Sequence, residues 1–317
     1  MNFVSLIFVM FLCIANMHAQ FPDRVGTPDC DAIPADHPGL NWGVSCMIAP
    51  GYISIAESSN GKVSVDDATF AIGPADNAVI SLGDGGIATM TFQYPITDGP
   101  GADFAVFENA FDDYFLEFAF VEVSSDGVHF VRFPSVSLTQ TMQQIGPFMR
   151  IPDVRAIHNL AGKYRGGYGT PFDLASLKDS VGLDIQAVTH VRVIDVIGAI
   201  EPRFASRDSR GNIINDPWPT PFSSCGFDLD GIAVIHEQRI ISEQMNIAPN
   251  PIHAGENGGT VRVMDAVNDV SVFSMQGEFI REGKDGIIQT NGLPGGVYVV
   301  RGIIDGHLRS GMFMILP

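Results

Sequence analysis

The sequence is short of basic residues. Its 317 residues include 18 Lys and Arg against 36 Asp and Glu, a formal net charge of −18. Nucleic acids and anionic membrane surfaces are bound through clusters of basic side chains, so this charge argues against both as partners. The excess of carboxylates instead favours solubility and makes divalent cations plausible partners.

Long apolar runs are also missing outside the N-terminus. Residues 3–14 are nearly all apolar, but they are too few to cross a bilayer as a helix. They precede the small residue Ala19 and then polar sequence, which predicts a secretory signal peptide over residues 1–19. The alternative is a buried first strand. Since no later segment approaches 18 consecutive apolar residues, we do not expect an integral membrane protein.

Cysteine is scarce, with four in the chain. Cleavage after residue 19 would leave Cys30, Cys46 and Cys225, and export implies an oxidising compartment. An odd number leaves one thiol unpaired or intermolecular. Cys30 and Cys46 are the nearest pair in sequence and are predicted to form a disulfide, with Cys225 as a small buried residue.

Recognisable catalytic motifs are absent. We find no G-x-S-x-G, H-E-x-x-H, P-loop or C-x-x-C sequence, and the histidines are scattered. Two carboxylates at a suitable separation could form a glycosidase site, and Glu108 with Glu122 or Glu117 with Asp230 are possible pairs. The sequence does not give their separation, and a non-catalytic protein is the expectation.

Short alternating strands and many turns are what the sequence does contain. It has 34 Gly and 20 Pro, and "LEFAFVEVSSDGVHFVRFP" is typical of a hairpin turning at Asp126-Gly127. Residues 188–198 alternate in the same way. We therefore predict an all-β chain, with a jelly-roll-like β-sandwich over residues 20–240 and a small Ig-like β-sandwich over residues 241–317.

The C-terminal segment resembles the type IX secretion sorting domain of Bacteroidota. The matching pieces are "APNP" at 248–251, "VFSMQGEFI", "LPGGVYVVR" at 293–301 and the terminal "GHLRSGMFMILP". The resemblance implies a small β domain that engages the type IX machinery and directs export across the outer membrane. It therefore implies a secreted or cell-surface location.

The main domain is similar to a family of exported bacterial cell-surface proteins. The similarity rests on "DGPGADFAVFENAF", "IHNLAGKYRGGYGTPFDL", "VTHVRVIDVIG" and "GFDLDGIAVIH", and the family name implies no activity. At the level of fold, "VEVSSDGVHF" followed by "HVRVIDV" resembles galactose-binding-like jelly rolls. Carbohydrate-binding jelly rolls commonly hold a structural Ca²⁺ beside the last strand.

Carboxylates cluster at two places in the main domain. The apolar stretch "GADFAVFENAF" contains Asp103 and runs into Glu108, and "FDLD" places Asp228 and Asp230 two residues apart on one face of a strand. Hard cations such as Ca²⁺ are bound by carboxylate and carbonyl oxygens. These four residues are the predicted Ca²⁺ ligands, and the alternative is a solvated acidic edge that discourages aggregation.

Aromatic residues stand on two irregular segments. "GKYRGGYGTPF" carries Tyr164, Arg165 and Tyr168 among glycines, and "DPWPTPF" carries Trp218 among prolines. Aromatic faces on compact loops can stack on sugars or on a flat macrocycle. These four residues are the predicted ligand contacts of a glycan- or small-ligand-binding protein. Structural loop anchors, capture of a cobalamin-like cofactor, and a glycoside-active enzyme are the alternatives.

Overall fold

The computed structural model describes residues 21–64, 67–238, 245–253, 259–264, 269–304 and 307–317. The predicted signal peptide lies outside these residues. The chain divides into two compact units, Met1–Gln238 and Arg239–Pro317. The described residues contain strands and short 3-10 helices, and none of them forms a helix long and apolar enough to span a membrane. The predicted all-β fold is confirmed.

The first unit is built from short antiparallel strands. They are β1 (Ile33–Pro34), β2 (Asn41–Trp42), β3 (Ser45–Ala49), β4 (Ile80–Ser81), β5 (Ile87–Ile96), β6 (Phe104–Glu108), β7 (Ala119–Ser124), β8 (Val131–Arg132), β9 (Val136–Ser137), β10 (Ile157–His158), β11 (Tyr168–Phe172), β12 (Val188–Asp195) and β13 (Asp228–Val234). Single 3-10 turns cover Ser58–Asn60, Ala68–Ala71, Val154–Ala156 and Leu174–Leu177.

Two sheets face each other across the core of this unit. One has the order β1-β11-β6-β13-β2, with β4 also paired to β13, and the other has the order β3-β5-β12-β7-β8. The core takes Phe104 and Ile232 from the first sheet, and Met90, Val121 and Val191 from the second. Apolar side chains from both inner faces thus form one interior, as in a β-sandwich. The strands β9 and β10 form a separate pair.

Strand β12 shows why the sequence forms this sandwich. Its residues alternate, so that Val191, Val193 and Asp195 are buried while Arg192 and Ile194 are partly exposed. It pairs with β5 on one side and β7 on the other. From Val191 onward, one face of the strand therefore contributes to the core, and this face ends in a carboxylate.

The second unit forms one continuous sheet. Its strands are β14 (Ile247–Ala248), β15 (Ile252–His253), β16 (Thr260–Val263), β17 (Asp269–Ser274), β18 (Phe279–Lys284), β19 (Ile287–Gln289), β20 (Gly296–Ile304) and β21 (His307–Leu316), in the order β14-β16-β19-β18-β17-β20-β21-β15. The amide of Met245, just before β14, donates to Ser310 of β21, so the sheet curls back on itself. Val261, Val272 and Phe313 are buried in its core.

The predicted disulfide does not form. Cys30, Cys46 and Cys225 are all free thiols. Cys46 lies on β3, at the edge of one sheet, and packs against the sandwich core. Cys30 precedes β1, at the edge of the opposite sheet. The two cysteines are near in sequence but do not pair, because the chain passes from one sheet to the other between them. Cys225 is buried, as expected.

Candidate functional site

The four predicted Ca²⁺ ligands do not form one site. Asp103 precedes β6 and Glu108 ends it, so the two residues are about 16 Å apart along an extended strand. Asp228 and Asp230 also diverge, because a register irregularity between Leu229 and Gly231 interrupts the pairing of β13 with β6. Although Asp228 and Asp230 were expected on one face of the strand, they do not contribute to one Ca²⁺ site.

Asp103 joins chain segments at one end of the sandwich. Its side chain is fully buried; Oδ1 accepts a 2.8 Å bond from the Gly99 amide and also bonds His236 Nδ1, and Oδ2 accepts from the Leu174 amide at 2.7 Å. Asp98 and Asp173 lie close by, and one oxygen from each of the three acids falls within 4.8 Å of the others. Since both Asp103 oxygens already accept protein hydrogen bonds, its observed role is structural.

Asp230 is likewise committed to backbone amides. Its Oδ1 accepts from the amides of Asp76 and Asn77 at 3.0 and 3.1 Å. The residue lies within the irregular part of the β13–β6 pairing, and its carboxylate holds the 76–77 turn against β13. A buried carboxylate of this kind accepts hydrogen bonds from backbone amides that would otherwise lack an acceptor.

Glu108 and Asp228 are near enough for their charges to interact, within a larger group of acids, although among the described residues no three of these acids bring ligand atoms within 4.8 Å of one another. Leu229 pairs directly with Glu108, so Asp228 is the residue beside that pair. The charges of Asp228, Glu117 and Asp216 all act on Glu108, and those of Asp228 and Asp195 act on Glu117. We call these five residues the acid cluster: Glu108, Glu117, Asp195, Asp216 and Asp228.

Burial and mutual repulsion shape the ionisation of the acid cluster. Loss of solvation is the first cause, and it raises the pKa of Glu108, Glu117, Asp195 and Asp216 well above the ordinary values, while that of Asp228 rises to about 6. Neighbouring carboxylates raise the first four further. Within the described residues, no salt bridge connects a cluster member to Lys, Arg or His.

Hydrogen-bond donors hold four of the cluster carboxylates in place. The Ala110 amide donates to Glu108 Oε2 at 2.9 Å, and the Phe118 amide donates to Asp216 Oδ2 at 2.8 Å. Asp195 accepts from the amides of Phe227 and Gly85, and Asp228 accepts from the Ser81 hydroxyl. In contrast, Asp216 Oδ1 is buried and has no hydrogen-bond partner among the described residues.

Sequence reasoning grouped neither Asp195 nor Asp216 with these acids, and it named Glu117 only as a possible catalytic partner of Asp230. Glu117 stands just before β7, Asp195 ends β12, and Asp216 lies in the loop after residue 201. A usable signal did exist for Asp195, since the alternation of β12 places its side chain on the buried face. The other two carry no local signal, because only the folded arrangement brings their loops to this end of the sandwich.

The first predicted ligand-binding segment is only partly accessible. Tyr164 is only 1% exposed and its hydroxyl donates to Asp31, so its ring cannot stack on a ligand. Arg165 Nη1 lies 2.9 Å from both carboxylate oxygens of Asp113, and its guanidinium lies over the Tyr168 ring. The prediction for Tyr164 was wrong because a neighbouring N-terminal segment covers a loop that looks exposed in the sequence.

The second segment places Trp218, which is partly buried, in one of two aromatic pairs in this region. Phe148 is 77% and Phe222 is 42% exposed, and their ring centroids are 5.6 Å apart. Phe204 and Trp218 form a similar tilted pair at 6.1 Å. These four residues are referred to below as the aromatic surface, of which sequence reasoning had selected only Trp218.

Polar contacts order the loops that carry the aromatic surface. Asn215 Oδ1 accepts from the Ile145 amide at 3.0 Å, and the Trp218 amide donates to Ile145 O at 2.8 Å. Gln144 Nε2 donates to the carbonyl oxygens of Gly198 and Asp216. The three loops are therefore cross-linked before any ligand binds, which lowers the entropic cost of binding.

The possible glycosidase pairs are engaged elsewhere. Glu122 lies on β7 and forms ion pairs with Arg132 at 2.8 Å and Arg192 at 3.4 Å. Glu108 is buried at the end of β6 in the other sheet, and Asp230 is bound by backbone amides. A general acid and base must both reach one substrate bond, and these interactions favour structural roles for Glu122 and Asp230.

Comparisons with known proteins add little to this geometry. No family model matches the sequence, and no curated protein matches it. Among solved structures, the BSP domain of a biofilm-associated protein is 11% identical over 73% of this chain, with a TM-score of 0.19. A Bacteroides uniformis β-glucuronidase 3 is 12% identical over 89%, with a TM-score of 0.22. The chain spans 48% of the first structure and 35% of the second.

Proposed function

We propose that this protein is a secreted or cell-surface binding protein without catalytic activity, and that its aromatic surface binds a glycan. The observation that carries the proposal is the pair of exposed rings Phe148 and Phe222, together with the partly buried pair Phe204 and Trp218, on loops that hydrogen bonds cross-link. Exposed aromatic faces bury apolar sugar surfaces with little loss of side-chain entropy.

Charged groups beside the rings suit a polar ligand. The Arg203 guanidinium lies 5.0 Å from the centre of the Phe204 ring, and its Nη1 is 3.7 Å from Glu201. Both side chains are largely exposed. A sugar ring stacked on the aromatic surface would therefore have a hydrogen-bond donor and an acceptor within reach for its hydroxyl groups.

Substitution of Phe148 and Trp218 tests this function. A glycan array probed with the full-length protein should identify a ligand, and calorimetric titration should then show that Phe148→Ala and Trp218→Ala each weaken binding at least about tenfold. Phe148 is exposed, so its loss should leave the melting temperature unchanged. The matched control is Phe111→Ala, which removes an 86% exposed ring outside the aromatic surface.

Three outcomes would contradict the proposal. One is equal affinity for Phe148→Ala, Phe111→Ala and the unaltered protein. Another is tight binding of cobalamin in a parallel titration with no glycan bound, which would favour capture of a flat cofactor by the same rings. The third is turnover of an oligosaccharide that Glu108→Gln or Glu122→Gln abolishes, which would make the protein an enzyme.

We further propose that the second unit directs export through the type IX route. The proposal rests on the resemblance of residues 241–317 to sorting domains and on the compact β-fold of the described part of this unit. Removal of residues 241–317 should leave the first unit folded but retained inside the outer membrane of a host with a type IX system. Immunoblots of medium, surface and periplasm measure this. Unchanged appearance at the surface or in the medium would refute it.

A further inference from the structure

We propose that the first unit has a carbohydrate site separate from the aromatic surface, a small cleft that binds the acetamido group of an N-acetylated sugar. The cleft lies at the edge of the sandwich, between β5 of one sheet and β2 and β13 of the other, and we call it the edge cleft. Its lining includes Asn41, Phe92, Gln93, Tyr94, Val234 and Glu237. None of these residues belongs to the aromatic surface, so neither site depends on what the other binds.

A bulge in β5 forms one wall of the edge cleft. Strand β5 pairs with β12 in regular register up to Thr91, and it pairs with β12 again at Ile96. Between these points the four residues 92–95 of β5 stand opposite the single residue Thr189 of β12. Bulges redirect side chains and are frequent beside functional sites. Three of the four bulged residues line the cleft, so the bulge is what builds this wall.

The pairing of β2 with β13 forms the opposite wall. Asn41 pairs with Val234, so their side chains lie on the same face of the sheet. Val234 belongs to the sandwich core, which identifies this face as the one turned toward the other sheet, and Phe92 packs against the same core. Asn41 itself is exposed. The edge cleft therefore has an apolar base and a side-chain amide at its mouth.

Backbone hydrogen bonds hold the two walls together before any ligand binds. The Gln238 amide donates to Pro95 O at 2.7 Å, and the Thr97 amide donates to His236 O at 3.1 Å. Glu237 lies between these two bonds and pairs with the end of β5. The segment after β13 is thus joined to the end of the bulge. Because the walls are already in place, a ligand loses little affinity to the ordering of the protein.

The size and lining of the edge cleft suit an acetamido group. Its volume is about 90 Å³, far below the roughly 300–1,000 Å³ of pockets that enclose a drug-sized ligand, so it accepts one substituent of a sugar ring. An acetamido group has an apolar methyl, one N–H donor and one carbonyl acceptor. Phe92 and Val234 offer apolar surface to the methyl group. The Gln93 side-chain amide offers a donor, and the Glu237 carboxylate offers an acceptor.

Other substituents of a sugar match this lining less well. A hydroxyl group would cover the apolar base with a polar group and leave no methyl group to bury there. A carboxylate or sulfate group would approach the Glu237 carboxylate, and none of the described lining residues is Lys or Arg. The lining therefore favours a neutral N-acetylated sugar over a plain hexose and over an acidic sugar.

Saturation-transfer NMR on the full-length protein tests the edge cleft. Methyl N-acetylglucosaminide should bind with a Kd on the order of 10⁻³ M, and its acetamido methyl protons should receive the strongest transfer. Methyl glucoside, which lacks the acetamido group, should bind at least about tenfold more weakly. Gln93→Ala removes an exposed donor, so it should weaken binding of the N-acetylated glycoside about fivefold and leave the melting temperature unchanged.

Two control variants separate the edge cleft from the rest of the molecule. Gln276→Ala removes an exposed glutamine of the second unit and should leave the affinity unchanged. Phe148→Ala alters the aromatic surface, and binding in the edge cleft should survive it. Loss of binding in Phe148→Ala but not in Gln93→Ala would place the sugar on the aromatic surface and overturn the proposal. Equal affinity for the two glycosides, or no transfer at about ten times the expected Kd, would also overturn it.

Discussion

In the presence of a chelator, the free energy of unfolding of the first unit should fall as the pH rises from about 4 to about 7. The pKa of each acid-cluster member is higher in the folded than in the unfolded protein. Between the two pKa values the folded state holds a proton that the unfolded state has released. The resulting stability is fully present below the unfolded pKa, and it is lost as the pH rises through the folded one.

The size of this effect is set by the buried carboxyls. Raising the pKa of Asp228 from 3.8 to about 6 corresponds to roughly 3 kcal/mol, and the more deeply buried members act in the same direction. Below about pH 4 the trend reverses, because the pKa values of Asp67, Asp112 and Asp208 are lowered by hydrogen bonds and these groups lose stabilising interactions on protonation. We therefore expect maximal stability in moderately acidic solution.

Thermal unfolding followed by tryptophan fluorescence measures this pH dependence. Both tryptophans, Trp42 and Trp218, belong to the first unit, so the signal reports that unit alone. Asp228→Asn should flatten the decline between about pH 4 and 7, whereas Glu122→Gln should not. A stability that instead increases steadily from pH 4 to 7 in EDTA would show that the cluster carboxyls are not buried as described.

The strands could be predicted from sequence because their information is local. The alternation of β12 places Val191, Val193 and Asp195 on one face, as the structure shows. The hairpin at Asp126-Gly127 is also confirmed, with β7 and β8 pairing through Val123 and Val131. In both cases a few neighbouring residues determine the pattern, so no knowledge of the tertiary fold is needed.

The candidate sites were harder to predict because they depend on strand register and on which distant chain segments bury a given side chain. The predicted Ca²⁺ site required Glu108 and the "FDLD" segment to meet, and β6 and β13 do pair there. The irregularity at Asp230 could not be predicted, since it arises from that pairing. Tyr164 has the sequence surroundings of an exposed loop, and only the contact with Asp31 reveals its burial. Asp216 lies more than a hundred residues from Glu108, and nothing local connects the two.

Gly162→Ala should destabilise the first unit by roughly 3–5 kcal/mol. Gly162 has φ +80°, a conformation that costs other residues about 1–2 kcal/mol. In addition, a Cβ at this position would lie 1.8 Å from the carbonyl oxygen of Glu117 and 2.9 Å from the Phe227 ring. Backbone on one side and a core aromatic on the other leave the methyl group no room, so the segment bearing Glu117 must move.

Gly167→Ala supplies the matched control for this prediction. Gly167 also has φ +80°, but a Cβ there would meet no atom within 4 Å. Its substitution should cost only the conformational strain, about 1–2 kcal/mol. Urea unfolding followed by tryptophan fluorescence gives the free energy of unfolding of both variants for the same unit. The difference between the two losses measures the steric cost of a Cβ that close to the Glu117 carbonyl. Equal destabilisation by the two substitutions would show that backbone conformation alone, and not the contact with Glu117, requires glycine at position 162.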